Sequence, residues 1–171
     1  MLSNPHNHTT EGDLDIIAFR LRGQEFCVET TKVREIRGWV ACTPVPHAPI
    51  DVLGVINLRG EVVPIIDLAG RLGMGMTSGT DRSAIVVAEV GDAVVGLLVD
   101  SVSDILTISS SKIQSVPDVV VAGSRARSTQ GMLTHEQGMI CLLDLPQLLC
   151  AGDGDQDGVV DHAQRSVATR H

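Results

Sequence analysis

The chain states one pattern twice, and this repetition limits its architecture more than any other feature. Residues 54–68 run Gly-Val-Ile-Asn-Leu-Arg-Gly-Glu-Val-Val-Pro-Ile-Ile-Asp-Leu, and residues 131–145 run Gly-Met-Leu-Thr-His-Glu-Gln-Gly-Met-Ile-Cys-Leu-Leu-Asp-Leu. In register the copies share Gly54/Gly131, Asp67/Asp144 and Leu68/Leu145. Apolar residues coincide at Val55/Met132, Ile56/Leu133, Val62/Met139, Val63/Ile140, Ile65/Leu142 and Ile66/Leu143. A shorter echo precedes each copy, Val33-Arg34-Glu35-Ile36 and Val102-Ser103-Asp104-Ile105. Repetition at this scale predicts two similar small β units. The copies part company in the middle, where Asn57-Leu58-Arg59-Gly60 stands against Thr134-His135-Glu136-Gln137. If the shared residues are framework, the unshared ones are where one half can act differently from the other.

The rest of the pattern is also short strands and turns. Ile17, Phe19 and Leu21 alternate with polar or small residues, Gly23-Gln24 supplies a turn, and Phe26 and Val28 resume the alternation. One helical turn leading into a strand is expected over Thr30–Ile36. The prolines of Thr43–Pro49 forbid helix and interior strand and leave an extended loop. A hairpin follows, Val52–Asn57 and Glu61–Ile66, turning at Leu58-Arg59-Gly60. Asp67 and Asp144 are placed to cap short helices over 68–72 and 145–149, with Pro146 tolerated in the first turn. Gly73–Thr80 is expected to be a flexible connector. Strands are expected at Ala84–Val90, Ala93–Val99, Asp104–Ile108 and Val116–Ala122. The fold class is therefore all-β with one or two short helices, arranged as paired small barrels. Residues 1–13 and the acidic stretch 151–171 have the composition of disordered tails.

Bulk properties remove several function classes. The 171 residues carry a formal charge of −8 and only three aromatic residues, Phe19, Phe26 and Trp39. An acidic, aromatic-poor chain is a poor match for nucleic acid or an anionic membrane surface. No apolar run is long enough for a membrane span, and the first fifteen residues lack the apolar core of a signal peptide. The four cysteines form no CxxC pair and read as reduced small hydrophobes in a cytoplasmic protein.

Chemistry-bearing motifs are weak. Asp153-Gly-Asp-Gln-Asp-Gly158 opens like a calcium loop, but position twelve is Gln164, so the bidentate carboxylate is missing. Gly73-Met-Gly75 lacks the Lys-Ser/Thr of a phosphate loop. There is no GxSxG elbow and no paired-histidine metal motif. No catalytic, cofactor or metal residues are expected, and the chain reads as a non-enzyme. Arg59 at a hairpin tip and Glu35 between Val33 and Ile36 are the charged residues of interest. A guanidinium fork beside a carboxylate and apolar side chains gives orientation to a greasy contact.

Glu35-Ile36-Arg37-Gly38 followed by Gly54–Leu68, with its Asn57-Leu-Arg-Gly60 box, resembles the signature of the CheW-type chemotaxis coupling proteins. Gly96-Leu-Leu-Val-Asp100-Ser-Val and Ile140-Cys-Leu-Leu-Asp-Leu145 continue the likeness, which spans about residues 14–150. It implies two five-stranded SH3-like barrels packed together. The expected division is a first barrel mainly over 14–75 and a second mainly over 81–150, with terminal strands able to cross over. It also implies a cytoplasmic adaptor linking the histidine kinase CheA, through its regulatory domain, to the cytoplasmic tips of methyl-accepting chemoreceptors. Further CheW-like domains join such proteins in rings within membrane-bound receptor arrays. By position, the likeness assigns Glu35 and Arg59 to receptor coupling and Val33, Ile36, Ala84 and Ile85 to the apolar groove that holds the receptor. It leaves the kinase contact unassigned. The rival reading is a small-molecule-binding double barrel that uses the inter-barrel groove as its pocket.

Overall fold

The computed structural model describes residues 12–116, 128–136 and 138–149. The readings of the two tails and of the calcium-like loop, and most of the strand expected over 116–122, fall outside these residues. Ten strands are described: β1 (Asp13–Leu21), β2 (Gln24–Glu29), β3 (Val33–Gly38), β4 (Val52–Leu58), β5 (Glu61–Asp67), β6 (Ala84–Val90), β7 (Ala93–Val99), β8 (Ser101–Ser109), β9 (Thr129–His135) and β10 (Gly138–Leu143). Among the described residues, helical segments are Leu68–Arg71, residues 145–149 and two 3-10 turns, Thr30–Lys32 and Ser110–Lys112, with single helical positions at residues 12 and 128.

The strands form two five-stranded sheets, ordered β8-β1-β2-β10-β9 and β3-β6-β7-β5-β4. Position by position the two orders are the same. Each contains one parallel pair at the same place, β10 with β2 and β5 with β7. The repeat thus maps β4-β5 onto β9-β10, and its upstream echo maps β3 onto β8. One barrel uses five consecutive strands and is called central here; the other joins the last three strands to the first two and is called terminal.

This partition differs from the expected division over 14–75 and 81–150. Strands β1 and β2 cross over to the terminal barrel, and β6 and β7 belong with β3–β5. Local alternation reveals each hairpin but not which hairpin lies beside which. That choice is made by long-range pairing, such as Ile17↔Ile105 and Ile66↔Leu97.

Closure explains the shared glycines. Beyond β3 the chain reaches the opposite edge of its sheet, where Thr43 and Val55 exchange two backbone hydrogen bonds of 2.9 Å. Beyond β8, Gln114 and Met132 do the same at 2.7 and 2.8 Å. A Cβ on Gly54 would stand 2.4 Å from the Thr43 carbonyl oxygen, and one on Gly131 would stand 2.5 Å from the Ile113 Cγ2. A side chain at either position would push the closing segment away.

The apolar residues sort into three cores. Ile56, Leu58, Val63, Ile65, Ile85, Val87 and Leu98 fill the central barrel. Ile16, Ala18, Cys27, Leu133, Ile140 and Leu142 fill the terminal one. A larger third cluster, including Phe19, Phe26, Val28, Ile66, Val86, Leu97, Leu143 and Leu148, lies between the barrels. Along β6 the side chains alternate between the barrel interior (Ile85, Val87) and the shared interface (Val86, Ala88). Both faces are buried, which is why this strand reads as a continuous apolar run.

Both capping aspartates do what their positions predict. The Asp67 carboxylate accepts from the Gly70 N–H at 3.3 Å, and that of Asp144 from the Gln147 N–H at 3.1 Å. Asp67 is also fully buried and accepts from the Thr77 N–H (2.7 Å) and hydroxyl (2.8 Å). The connector expected to be flexible is therefore pinned. Arg22 donates to the Met76 carbonyl, and Gly79 lies so close to the Trp39 indole that a Cβ there would sit 2.2 Å from the ring.

Candidate functional site: the hairpin tip and strand β3

The β4–β5 hairpin turns on two residues. Leu58 pairs with Glu61, so Arg59 and Gly60 alone form the loop, with φ of 52° and 88°. Two successive positive φ values define a type I′ turn, whose twist matches that of the strands it joins. The Asn57 side-chain Oδ1 accepts from the Gly60 N–H at 3.0 Å and locks the loop. An arginine at φ 52° holds a conformation that side chains disfavour by roughly 1–2 kcal/mol. Asparagine or glycine would adopt this conformation at lower cost.

Barrel closure brings this tip over β3. Arg59 Nη1 donates to Glu35 Oε2 at 2.6 Å, although Arg59 is 70% exposed and Glu35 23%. This hydrogen bond holds the Glu35 carboxyl below the usual carboxylate range; partial desolvation opposes the effect, and the charges of Arg37 and Arg34 add to it. Reciprocally, Glu35 pushes the Arg59 guanidinium upward. Beside this pair, Arg34 joins Glu89 and Glu61, the latter at 3.1 Å. The patch thus joins three carboxylates, Glu35, Glu61 and Glu89, to two arginines, Arg34 and Arg59, across strands β3, β5 and β6 and the hairpin tip, with the Arg37 charge acting on Glu35 without pairing to it. Apolar Ile36 stands among them, 37% exposed.

A match to the CheW-like domain model covers residues 15–152. The chain belongs to the CheW-like family. Among its relatives, the "Chemotaxis protein CheW" of Rhizobium meliloti (strain 1021) is 53% identical over 144 residues, covering 84% of this chain and 92% of that protein. The "Probable chemotaxis protein CheW" of Rhizobium etli is 52% identical over 138 residues, covering 81% and 88%. Among solved structures, the scaffolding protein TtCheW from Thermoanaerobacter tengcongensis superposes with a TM-score of 0.71 at 29% identity, covering 77% of this chain and 84% of that one.

On this CheW-like framework, the residues singled out in the sequence do not all share one surface. Glu35 and Arg59 are brought into contact, and Val33 and Ile36 flank Glu35 on the same strand. Val33 is half-buried against the shared core, as is Ala84, which pairs with Gly38 at the far end of β3. Ile85 is different. It pairs with Arg37 in register but has 0% exposure, because its side chain points into the central barrel. Ile85 can support the site from within and cannot line a groove.

Sequence reading missed a second feature. Val62 is 65% exposed, Met139 50% and Ile105 63%. Together with Ile36 they form two repeat-equivalent pairs, Ile36/Ile105 and Val62/Met139. The register of the repeat had already aligned them, but it did not show that their side chains face outward. Each barrel therefore offers an outward apolar pair at the same places.

Proposed function

We propose that this CheW-like chain is a non-catalytic scaffold in bacterial chemosensory signalling, coupling the cytoplasmic tips of chemoreceptors to the histidine kinase CheA and supporting receptor-array assembly. The observation that carries the reading is the Arg59–Glu35 pair. A strained arginine stands at an exposed tip, engaged through one N–H, with the rest of its fork available to a partner. A receptor helix would bury apolar surface against Ile36 and the exposed parts of Val33 and Ala84, while Arg59 and Glu35 fix its register.

Scaffolding needs more than one adhesive surface. The two repeat-equivalent apolar pairs supply them, one per barrel, and a kinase regulatory domain of the same double-barrel build is the partner such paired faces suit. Signalling then is a shift in the population of array states, transmitted through these contacts. Recruitment to membranes would run through the receptors; among the described residues no helix is long and apolar enough to cross a membrane.

The rival small-molecule reading meets an obstacle in the groove itself. The centre of the inter-barrel interface is occupied by the shared core of Phe19, Phe26, Val86, Leu97 and Leu143. Co-sedimentation of the chain with receptor-bearing membranes and purified kinase tests the proposal. Cosedimentation that requires receptor supports it; a chain left in the supernatant in the presence of both partners overturns it.

A further inference from the structure

Among the described residues of this acidic chain, most arginines are neutralised in place. Arg20 faces Glu25, Arg34 faces Glu61 and Glu89, Arg59 faces Glu35, and Arg71 faces Asp51. Among the described residues Arg22, Arg37 and Arg82 have no carboxylate partner, and two of these three, Arg22 and Arg82, line one cavity. That cavity is an open cleft of about 430 Å³ beside the pinned connector, bounded by Arg22, Met76, Thr77, Ser78, Thr80, Arg82, Ser83 and Asp100.

Its walls come from both barrels. Arg22 sits in the β1–β2 turn at φ 52°, and its backbone N–H donates to Asp100 Oδ2 at 2.7 Å. Its guanidinium holds the Met76 carbonyl and leaves further N–H donors uncommitted. Opposite, the backbone turn of residues 80–83 is fixed by the Thr80 N–H donating to the Ser83 hydroxyl at 3.0 Å and the Arg82 N–H to the Thr80 hydroxyl at 3.2 Å. This turn presents the unpaired Arg82 guanidinium. Asp100 is the single carboxylate lining the cavity, so two guanidinium charges outweigh one acid there.

We infer that this cavity binds a small organic anion carrying two or more carboxylate or phosphate groups. Paired guanidinium forks match such oxyanions in a bidentate manner, with hydroxyls nearby as further donors. The cleft is open to solvent and has room for a multivalent organic anion as well as for an inorganic one. Because Arg22 belongs to the terminal barrel and Arg82 to the segment leading into the central one, occupancy would tie the barrels together through the connector. This inference is independent of the adaptor reading.

Calorimetric titration of the full chain with citrate, and separately with inorganic phosphate, tests it against sodium chloride at matched ionic strength. Saturable one-to-one binding of citrate is expected, tighter than that of phosphate. Arg82→Gln, at an exposed side chain with no partner, should weaken it about tenfold or more, the loss of one charge-assisted contact, with the thermal melt unchanged. Failure of either anion to saturate in the millimolar range overturns the inference. So does an Arg82→Gln protein that binds as tightly as the parent.

Discussion

Arg71 ties three separate segments of the chain together, and breaking that tie has a calculable cost. Its Nε donates to Asp51 Oδ2 at 2.6 Å, its Nη2 to Asp51 Oδ1 at 3.4 Å, and its Nη1 to the Leu149 carbonyl at 3.3 Å. The two side chains are only 7% and 10% exposed. Asp51 in turn gives its backbone carbonyl to the Asp67 N–H at 2.7 Å. Arg71→Met leaves a buried carboxylate without its counter-charge, a change that costs about 3–5 kcal/mol. For a chain of this size that lowers the melting temperature by roughly 6–20 °C. Asp51→Leu strands the guanidinium instead and should cost a comparable amount. The double substitution removes both charges and leaves mainly the Leu149 carbonyl short of a donor, about 1–3 kcal/mol. The three proteins and the parent form a cycle, to be measured by urea unfolding followed by circular dichroism and by Trp39 fluorescence. The two probes should coincide, because the barrels share one core and unfold as a unit. A coupling of at least ~2 kcal/mol is expected. Single changes whose costs add to that of the double within ~0.5 kcal/mol would refute the reasoning, since they would mean that the pair is solvated in solution.

Closure and thiol burial give two further expectations. Gly54→Ala, whose Cβ would lie 2.4 Å from a backbone oxygen, should cost ~3 kcal/mol or more; Gly60→Ala, with positive φ but open space, only about 1–2 kcal/mol. Equal costs in chemical unfolding would show that strain, not closure, sets the Gly54 requirement. The Cys27 thiol is pushed up to about 12 by burial first, with the Cys141, Glu25 and Glu29 charges adding. The folded state therefore keeps a proton that the unfolded thiol releases near its ordinary value of 9.0. Its contribution to stability is complete below that value and falls as pH rises from about 9 toward 12. Native Cys27 should resist alkylation at neutral pH and label only on unfolding, as peptide mass mapping would reveal; rapid native labelling would contradict its burial.

How far the fold was legible depended on the range of the forces involved. Period-two alternation marked β1 and β2, apolar runs between turn signals marked β6 and β7, and the repeat located the β4–β5 hairpin and its later copy, the capping aspartates and the residues of the tip. Local patterns could not say that β1 and β2 close the terminal barrel, because pairings such as Ile17↔Ile105 join residues far apart in sequence. Nor could they separate Ile85, inside a barrel, from Val62, outside one; both are β-branched residues in apolar strands. The connector looked flexible from its glycines, yet Gly79 is there to let the chain lie against Trp39. Arg59 and Glu35 could be singled out from the sequence as charged residues beside apolar ones, whereas their 2.6 Å contact depends on closure bringing the tip over β3.

The adaptor account is tested most directly by kinase activity in a reconstituted system of receptor-bearing membranes, CheA and this chain, with Arg59→Glu compared against the parent. Arg59 is exposed, so the substitution should leave the circular-dichroism melt unchanged while reversing the charge offered to the receptor. The account predicts that the parent confers receptor-dependent control on the kinase and that Arg59→Glu, equally folded, does not. A folded Arg59→Glu protein that controls the kinase as the parent does would contradict it.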